Sequence, residues 1–146
     1  MRTWESAIGP HVGAWGDVTY FEDETPYSYG DDLGGGNVLN VGWLDGTREY
    51  PRGGVPADFV ERLRAVCANG TARTRGWHRC NLCPEGAPCP VTVQGADGGQ
   101  YLVGDAEIRV AGQGRVVYAA PTMVIHYVQD HGYRPPDGFI AAVLRS

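Results

Sequence analysis

Apolar residues recur with a helical period in one stretch of the chain. Between positions 56 and 68, a period near 3.6 groups five side chains on one face: Phe59, Val60, Leu63, Val66 and Cys67. Pro56 suits the first turn of a helix, and Asn69-Gly70 suits its end. The pattern therefore predicts an amphipathic helix over 56–68, with Cys67 in its last turn facing the interior.

Elsewhere apolar and polar residues alternate in short runs that glycine-rich turns separate. This alternation predicts strands at 91–94, 100–103, 106–110 and 115–119, arranged as an antiparallel meander. A further strand is predicted at 37–44, and the turn at Asp45-Gly46 predicts a hairpin that returns over 47–50. Two more helices are predicted, one from Pro121 to about Asp130 and one that begins at Pro135-Pro136.

These elements predict a single α+β domain over 18–146, built from a small antiparallel β-sheet, about three helices and a zinc knuckle. Residues 1–17 are expected to form a flexible N-terminal segment. Twenty-two glycines and ten prolines in 146 residues favour many turns and short elements over a helical bundle.

Charge narrows the classes of partner. The formal net charge is −5, which argues against nucleic-acid binding through a basic surface. No run approaches the roughly 18 apolar residues of a membrane span, so we expect no membrane partner and a cytoplasmic location. The aromatic and acidic run 17–29 is a candidate surface for a protein partner, and its alternative is a solvated edge with aromatics in the core. The oligomeric state is left open.

The cysteines carry the chemistry that the sequence specifies. All four lie between positions 67 and 89, and Cys80 and Cys83 form a C-x-x-C pair two residues after His78. A C-x-x-C turn brings two sulfurs to one point, and zinc prefers four such soft or borderline ligands. In a reducing compartment this clustering favours a metal over disulfides.

The predicted ligands of a Zn²⁺ ion are Cys67, His78, Cys80 and Cys83. His78 precedes Cys80 by two residues, so in an extended segment both side chains point to one face. Cys89 and His126 compete for the fourth position. An iron–sulfur cluster, a thiol–disulfide site and a set of ordinary buried cysteines are the alternatives to zinc.

His126 and His131 lie five residues apart in the second predicted helix. Helical residues that share a face are three or four apart, and five places the side chains about 140° from each other. A shared metal is therefore not expected unless the helix ends between them. The simpler interpretation places His131 at the helix C-terminus and gives His126 a hydrogen-bonded, half-buried role.

The function that we expect is a binding or regulatory module stabilised by structural zinc. Four protein ligands leave no position for a reacting water, so the prediction leans away from an enzyme and names no catalytic residue. One alternative is a small metal-dependent enzyme that uses His126, Glu107 or Arg109 near the metal. Another is an immunity or antitoxin protein, which would also be small and acidic.

Two segments carry a family resemblance. Residues 74–83 match a T-R-G-[FW]-H-x-C-x-x-C pattern, and residues 119–136 match A-A-P-x-x-x-x-H-Y-x-x-x-H-x-Y-x-P-P. The chain resembles a family of small, uncharacterised bacterial proteins that are common in actinobacteria, and the agreement covers most of it from about Val18. The resemblance implies one compact domain and assigns no activity. The insert around Cys89 is not typical of that family, which favours His78 over Cys89 as the fourth ligand.

Overall fold

The computed structural model describes residues 20–26, 37–71, 77–95 and 98–146. The predicted flexible segment 1–17 lies outside these ranges, and of the candidate partner surface 17–29 they include only 20–26. The described residues form five strands and three helices, which confirms the α+β class. In chain order these are β1 Asn37–Asn40, α1 Ala57–Cys67, β2 Val91–Gln94, β3 Gln100–Val103, β4 Glu107–Ala111, β5 Val116–Pro121, α2 Val124–His131 and α3 Asp137–Arg145.

The larger sheet has three strands in the order β1-β5-β4. β4 and β5 are antiparallel, whereas β1 runs parallel to β5, with Asn37 opposite Val116 and Asn40 opposite Ala119. The central strand β5 buries Tyr118, Ala119 and Ala120 in succession, as expected where both faces of a sheet are covered.

Two predictions about the strands are therefore wrong. β1 ends at Asn40, and residues 47–50 form no strand beside it. The turn at Asp45-Gly46 does form, but β1 takes its partner from the far end of the chain. The four later strands do not form one meander either, because within the described ranges β2 and β3 pair only with each other, as an antiparallel hairpin.

Helix α1 packs against both of the later helices. In α1 the buried positions are Phe59, Leu63 and Cys67, three of the five inward positions that the helical period predicts. The other two, Val60 and Val66, are half-buried against the core. The rings of Phe59 and of Phe139 in α3 pack edge to face with centroids 6.3 Å apart. Phe139 packs in the same way on Tyr118 of β5, with centroids 5.7 Å apart. Such edge-to-face pairs add to the stabilisation from burial. They join two helices to the centre of the sheet.

A half-buried carboxylate connects residues 20–26 to the core. Asp23 accepts hydrogen bonds from the backbone N–H of Gly42 at 3.0 Å and from the hydroxyl of Tyr133 at 2.8 and 2.9 Å. Tyr133 is fully buried, and burial raises the pKa of Asp23. This contact ties the loop that precedes β1 to the loop that follows α2.

Among the described residues, no helix combines the length and the apolar character needed to cross a lipid bilayer.

Candidate metal centre

The C-x-x-C segment forms a tight turn outside any helix or strand. Cys80 is buried and Cys83 half-buried. Burial raises the pKa of the Cys80 thiol to about 11, although the backbone N–H groups of Leu82 and Cys83 face its sulfur and lower it. These N–H groups would stabilise a thiolate at this position once a cation offsets the cost of burial.

A second turn supports the first by close contact. A Cβ atom on Gly46 would lie 2.3 Å from the carbonyl oxygen of Asn81, so only glycine lets the 45–47 turn approach the C-x-x-C turn this closely. The 45–47 turn therefore packs directly against the backbone of the C-x-x-C turn.

Helix α2 brings two imidazoles to the same point. The Nε2 atoms of His126 and His131 lie 3.3 Å apart. The Cys83 sulfur lies 3.3 Å from Nε2 of His126 and 3.4 Å from Nε2 of His131, and the Cys80 sulfur lies 3.5 Å from Nε2 of His131. All four ligand atoms are within 4.8 Å of one another. Cys80, Cys83, His126 and His131 therefore lie close enough together to bind one metal ion.

Four of the six separations among these atoms match the edges of a zinc tetrahedron. With Zn–S near 2.3 Å and Zn–N near 2.0–2.1 Å, tetrahedral angles place nitrogen about 3.3 Å from nitrogen and about 3.6 Å from sulfur. The N–N distance of 3.3 Å and the S–N distances of 3.3–3.5 Å agree with these values. The group thus has the size of a single-ion site before any ion is considered.

The expectation that a five-residue spacing keeps the histidines apart is wrong. The N–H groups of Gly132 and Tyr133 both donate to the carbonyl of Tyr127, five and six residues back, and Gly132 has a φ of +67°. A bond to the fifth residue back widens the last turn beyond the 3.6 residues of an α-helix. His131 ends the helix in this widened turn, and its ring swings toward His126.

A carboxylate orients the buried histidine. Nδ1 of His126 lies 2.8 Å from the Asp130 carboxylate one turn later in α2. The carboxylate holds the proton on Nδ1, so Nε2 presents its lone pair to Cys83 and His131. Metal-binding histidines typically donate their second N–H to such a partner, which fixes the tautomer and raises basicity.

Both histidines are poised in their neutral form. Burial lowers the pKa of His126, and the neighbouring Asp130 opposes this effect. Burial also lowers the pKa of His131; the neighbouring His126 and Arg52 lower it further, and Asp130 opposes them. Because only neutral imidazole binds a metal, both rings are available as ligands at neutral pH.

The structure separates two of the four predicted ligands from this group. Cys67 is buried in the core, and its thiol contacts the backbone of Ile125. His78 is half-buried, and its backbone N–H donates to the carbonyl of Gly104. The competing Cys89 has its sulfur 4.0 Å from the carbonyl oxygen of His78. None of the three belongs to the group of four, which takes from the predicted set only Cys80 and Cys83.

The residues named for an enzymatic alternative also take other positions. Glu107 on β4 is buried, and its carboxylate pairs with the Arg109 guanidinium at 3.0 Å. Neither residue belongs to the cluster of possible metal ligands, whereas His126 does.

One signal in the sequence pointed to His131, the member of this group that the predicted ligands and their competitors omit. His126 and His131 both fall in the segment 119–136 that carries the family resemblance, and Gly132 marks a helix end directly after His131. The helix runs through His131 and does not end between the two histidines, so its widened last turn is what makes the five-residue spacing compatible with one metal.

Comparisons with known proteins place the chain in a family. No curated protein and no solved structure matches it. A family model described as "Domain of unknown function (DUF7919)" matches residues 19–144, which are most of the chain and include all four clustered side chains. The chain therefore belongs to the DUF7919 family.

Proposed function

We propose that this protein is a binding or regulatory module whose fold is stabilised by one structural Zn²⁺ ion held by Cys80, Cys83, His126 and His131. The observation that carries the proposal is the close spacing of the four ligand atoms: four of their six separations are 3.3–3.5 Å, and all lie within 4.8 Å.

Charge balance supports a divalent ion at this place. Two thiolates and two neutral imidazoles carry a charge of about −2, so a divalent cation yields a neutral centre. A neutral centre avoids the large cost of burying a net charge beside Cys80 and His126, which are each 7% exposed. Two sulfurs with two imidazole nitrogens in a tetrahedron favour zinc among divalent metals.

The same spacing disfavours the iron–sulfur alternative. In a two-iron cluster with mixed ligation, the cysteine and histidine ligands bind different irons. Sulfur and nitrogen would then be spread over a longer span than the 3.3 Å between Cys83 Sγ and His126 Nε2.

The position of the group supports a structural role. Residues 77–90 contain no helix or strand, and a metal would join this segment to α2 across more than 40 residues of sequence. Such a cross-link restricts the unfolded chain and stabilises the folded one. With four protein ligands bound, the ion keeps no open position, which separates this role from catalysis.

The test is metal analysis of the purified protein, followed by thermal melting with and without a chelator. We expect about one equivalent of zinc. Saturation at a thousand times Kd adds about 4 kcal/mol, so chelation should lower the melting temperature by on the order of 10 °C for a chain of this size. Less than about half an equivalent, or an unchanged melting temperature, would contradict the proposal.

Variants then identify the ligands. Cys83→Ser and His131→Asn should lose the metal, whereas Cys89→Ser, a matched change of a half-buried thiol, should keep it. Cys67 and His78 remain the alternative partners predicted from the sequence. Loss of zinc in Cys67→Ala and His78→Gln, with retention in His131→Asn, would establish that set instead.

A further inference from the structure

A groove of about 840 Å³ opens beside the candidate metal centre. Residues 46–52 line one wall, and Asn81, Leu82 and the C-terminal end of α2 line the other. His131 is part of this lining, so one residue belongs to both the groove and the metal centre. The volume is within the range of small-molecule sites.

Stacking on tyrosine rings holds two arginines of the groove in place. Among the residues that the structure describes, no carboxylate pairs with either arginine. The Arg48 guanidinium stacks on the Tyr20 ring at 4.4 Å, and the Arg52 guanidinium stacks on the Tyr50 ring at 4.6 Å. Stacking fixes the plane of a guanidinium and leaves its N–H groups free at the edge. A planar fork of this kind matches the oxygens of a carboxylate or a phosphate.

The acidic residues of the groove are unequal competitors for these arginines. The Asp130 carboxylate already pairs with Nδ1 of His126 at 2.8 Å, so it is a weak competitor for the arginines. Glu49 is exposed, and it is the other acid in the lining.

His131 adds a donor to the groove once a metal is bound. With Nε2 on the metal, the ring proton resides on Nδ1. Within the described ranges, His126 has a carboxylate at its Nδ1, whereas His131 has no such acceptor. Metal-binding histidines typically have an acceptor at this second nitrogen, and an oxyanion in the groove would supply it.

We propose that this groove binds a small molecule through a carboxylate or phosphate group, with Arg48 and Arg52 as its cationic ligands and His131 Nδ1–H as a further donor. The part assigned to His131 rests on the proposed zinc centre, whereas the part assigned to the arginines does not. Such a site would give the proposed binding or regulatory module a small-molecule ligand to bind.

The test is an NMR titration of the purified protein with inorganic phosphate, and separately with succinate, at fixed ionic strength. Saturable shifts should appear in residues 46–52, 81–82 and 131–132. Arg48→Gln and Arg52→Gln should each weaken binding about tenfold, which is the effect of losing one charge-assisted hydrogen bond. Glu49→Gln should tighten binding, because it removes the competing negative charge. Arg115→Gln, at an exposed turn outside the groove, makes the same change of charge as a control and should leave binding unchanged.

The zinc content of each sample separates the two proposals. Zinc-loaded protein without saturable shifts would overturn the groove site and leave the metal centre standing. Protein without zinc that still binds phosphate through Arg48 and Arg52 would overturn the metal centre and the part assigned to His131. Equal losses in Arg48→Gln and Arg115→Gln, or weaker binding in Glu49→Gln, would show that the arginines hold no oxyanion. A melting curve for each variant verifies folding.

Discussion

Asp130→Asn should weaken metal binding while leaving the metal-free fold nearly unchanged. Asp130 touches no predicted ion; it holds Nδ1 of His126 at 2.8 Å and so aims Nε2 at Cys83. An amide can present its NH₂ to the ring and loses the charge that fixes the tautomer. Loss of such a partner typically costs 10–100-fold in metal affinity, or about 1.4–2.7 kcal/mol.

The direct effect of this substitution on folding should be much smaller. The side chain of Asp130 is 58% exposed, so solvent screens its pairing with His126. Pairs of this type, one turn apart in a helix, contribute about 0.5 kcal/mol or less. For a domain of this length, that is about 1–2 °C in melting temperature.

The assay is competition with a chromophoric zinc chelator at about pH 7.5, paired with melting of the metal-free protein. The lowered pKa of His126 keeps its ring neutral at that pH, so proton competition does not mask the effect. Asp137→Asn is the matched control, because Asp137 pairs with Arg134 at an exposed position of α3. Affinity within twofold of the parent protein, or equal loss of affinity in the control, would refute the orienting role.

Three further predictions test other parts of the account. Gly46→Ala should lower both the melting temperature and the zinc affinity, because its Cβ would lie 2.3 Å from the carbonyl oxygen of Asn81 in the C-x-x-C turn. Gly54→Ala is the control, because a Cβ at that position has no atom within 4 Å. Equal melting temperatures for the two variants would contradict the prediction. Zinc affinity should rise at least tenfold per pH unit near neutrality. The reason is that the Cys80 thiol, whose pKa burial raises to about 11, is protonated before the metal binds and must release that proton. An affinity that does not change with pH, measured by competition with the zinc chelator, would contradict this prediction. Tyr133→Phe should lower the free energy of unfolding, measured in urea, by about 1.5–3 kcal/mol, since it removes the buried hydroxyl that donates to the Asp23 carboxylate. A loss below about 0.5 kcal/mol would show that this hydrogen bond does not hold the loop.

Local patterns predicted the elements whose partners are near in sequence. Helix α1 was predicted over 56–68 and runs over Ala57–Cys67, because its apolar face alone determines which side is buried. The β2–β3 hairpin lies at the predicted positions for the same reason, with Val91 and Val93 buried and alternate residues exposed.

The pairing of β1 could not be predicted in this way. The sequence favoured a hairpin closed by the turn at Asp45-Gly46, which is a short-range signal. Its actual partner is β5, almost 80 residues later, where Asn37 lies opposite Val116. A parallel pair needs a long connection, and nothing local in 37–40 specifies which later strand will provide it.

In the candidate site, too, local sequence predicts some of the clustered residues and the fold determines the rest. Cys80 and Cys83 were recognised because a C-x-x-C turn places both sulfurs together whatever the rest of the fold does. The sequence does not predict His131 as a ligand, because a regular helix would turn it about 140° from His126. The widened end of α2, with two N–H groups on the Tyr127 carbonyl, brings the ring back. Cys67 was correctly predicted to face inward, but it faces the apolar core near Ile125.

X-ray absorption at the zinc edge of the purified protein tests the central claim most directly. Ligation by Cys80, Cys83, His126 and His131 predicts two sulfurs at about 2.3 Å and two imidazole nitrogens at about 2.0–2.1 Å. The set with Cys67 and His78 would instead give three sulfurs and one imidazole. A three-sulfur shell, or a spectrum with fewer than four protein ligands, would contradict the structural centre proposed here.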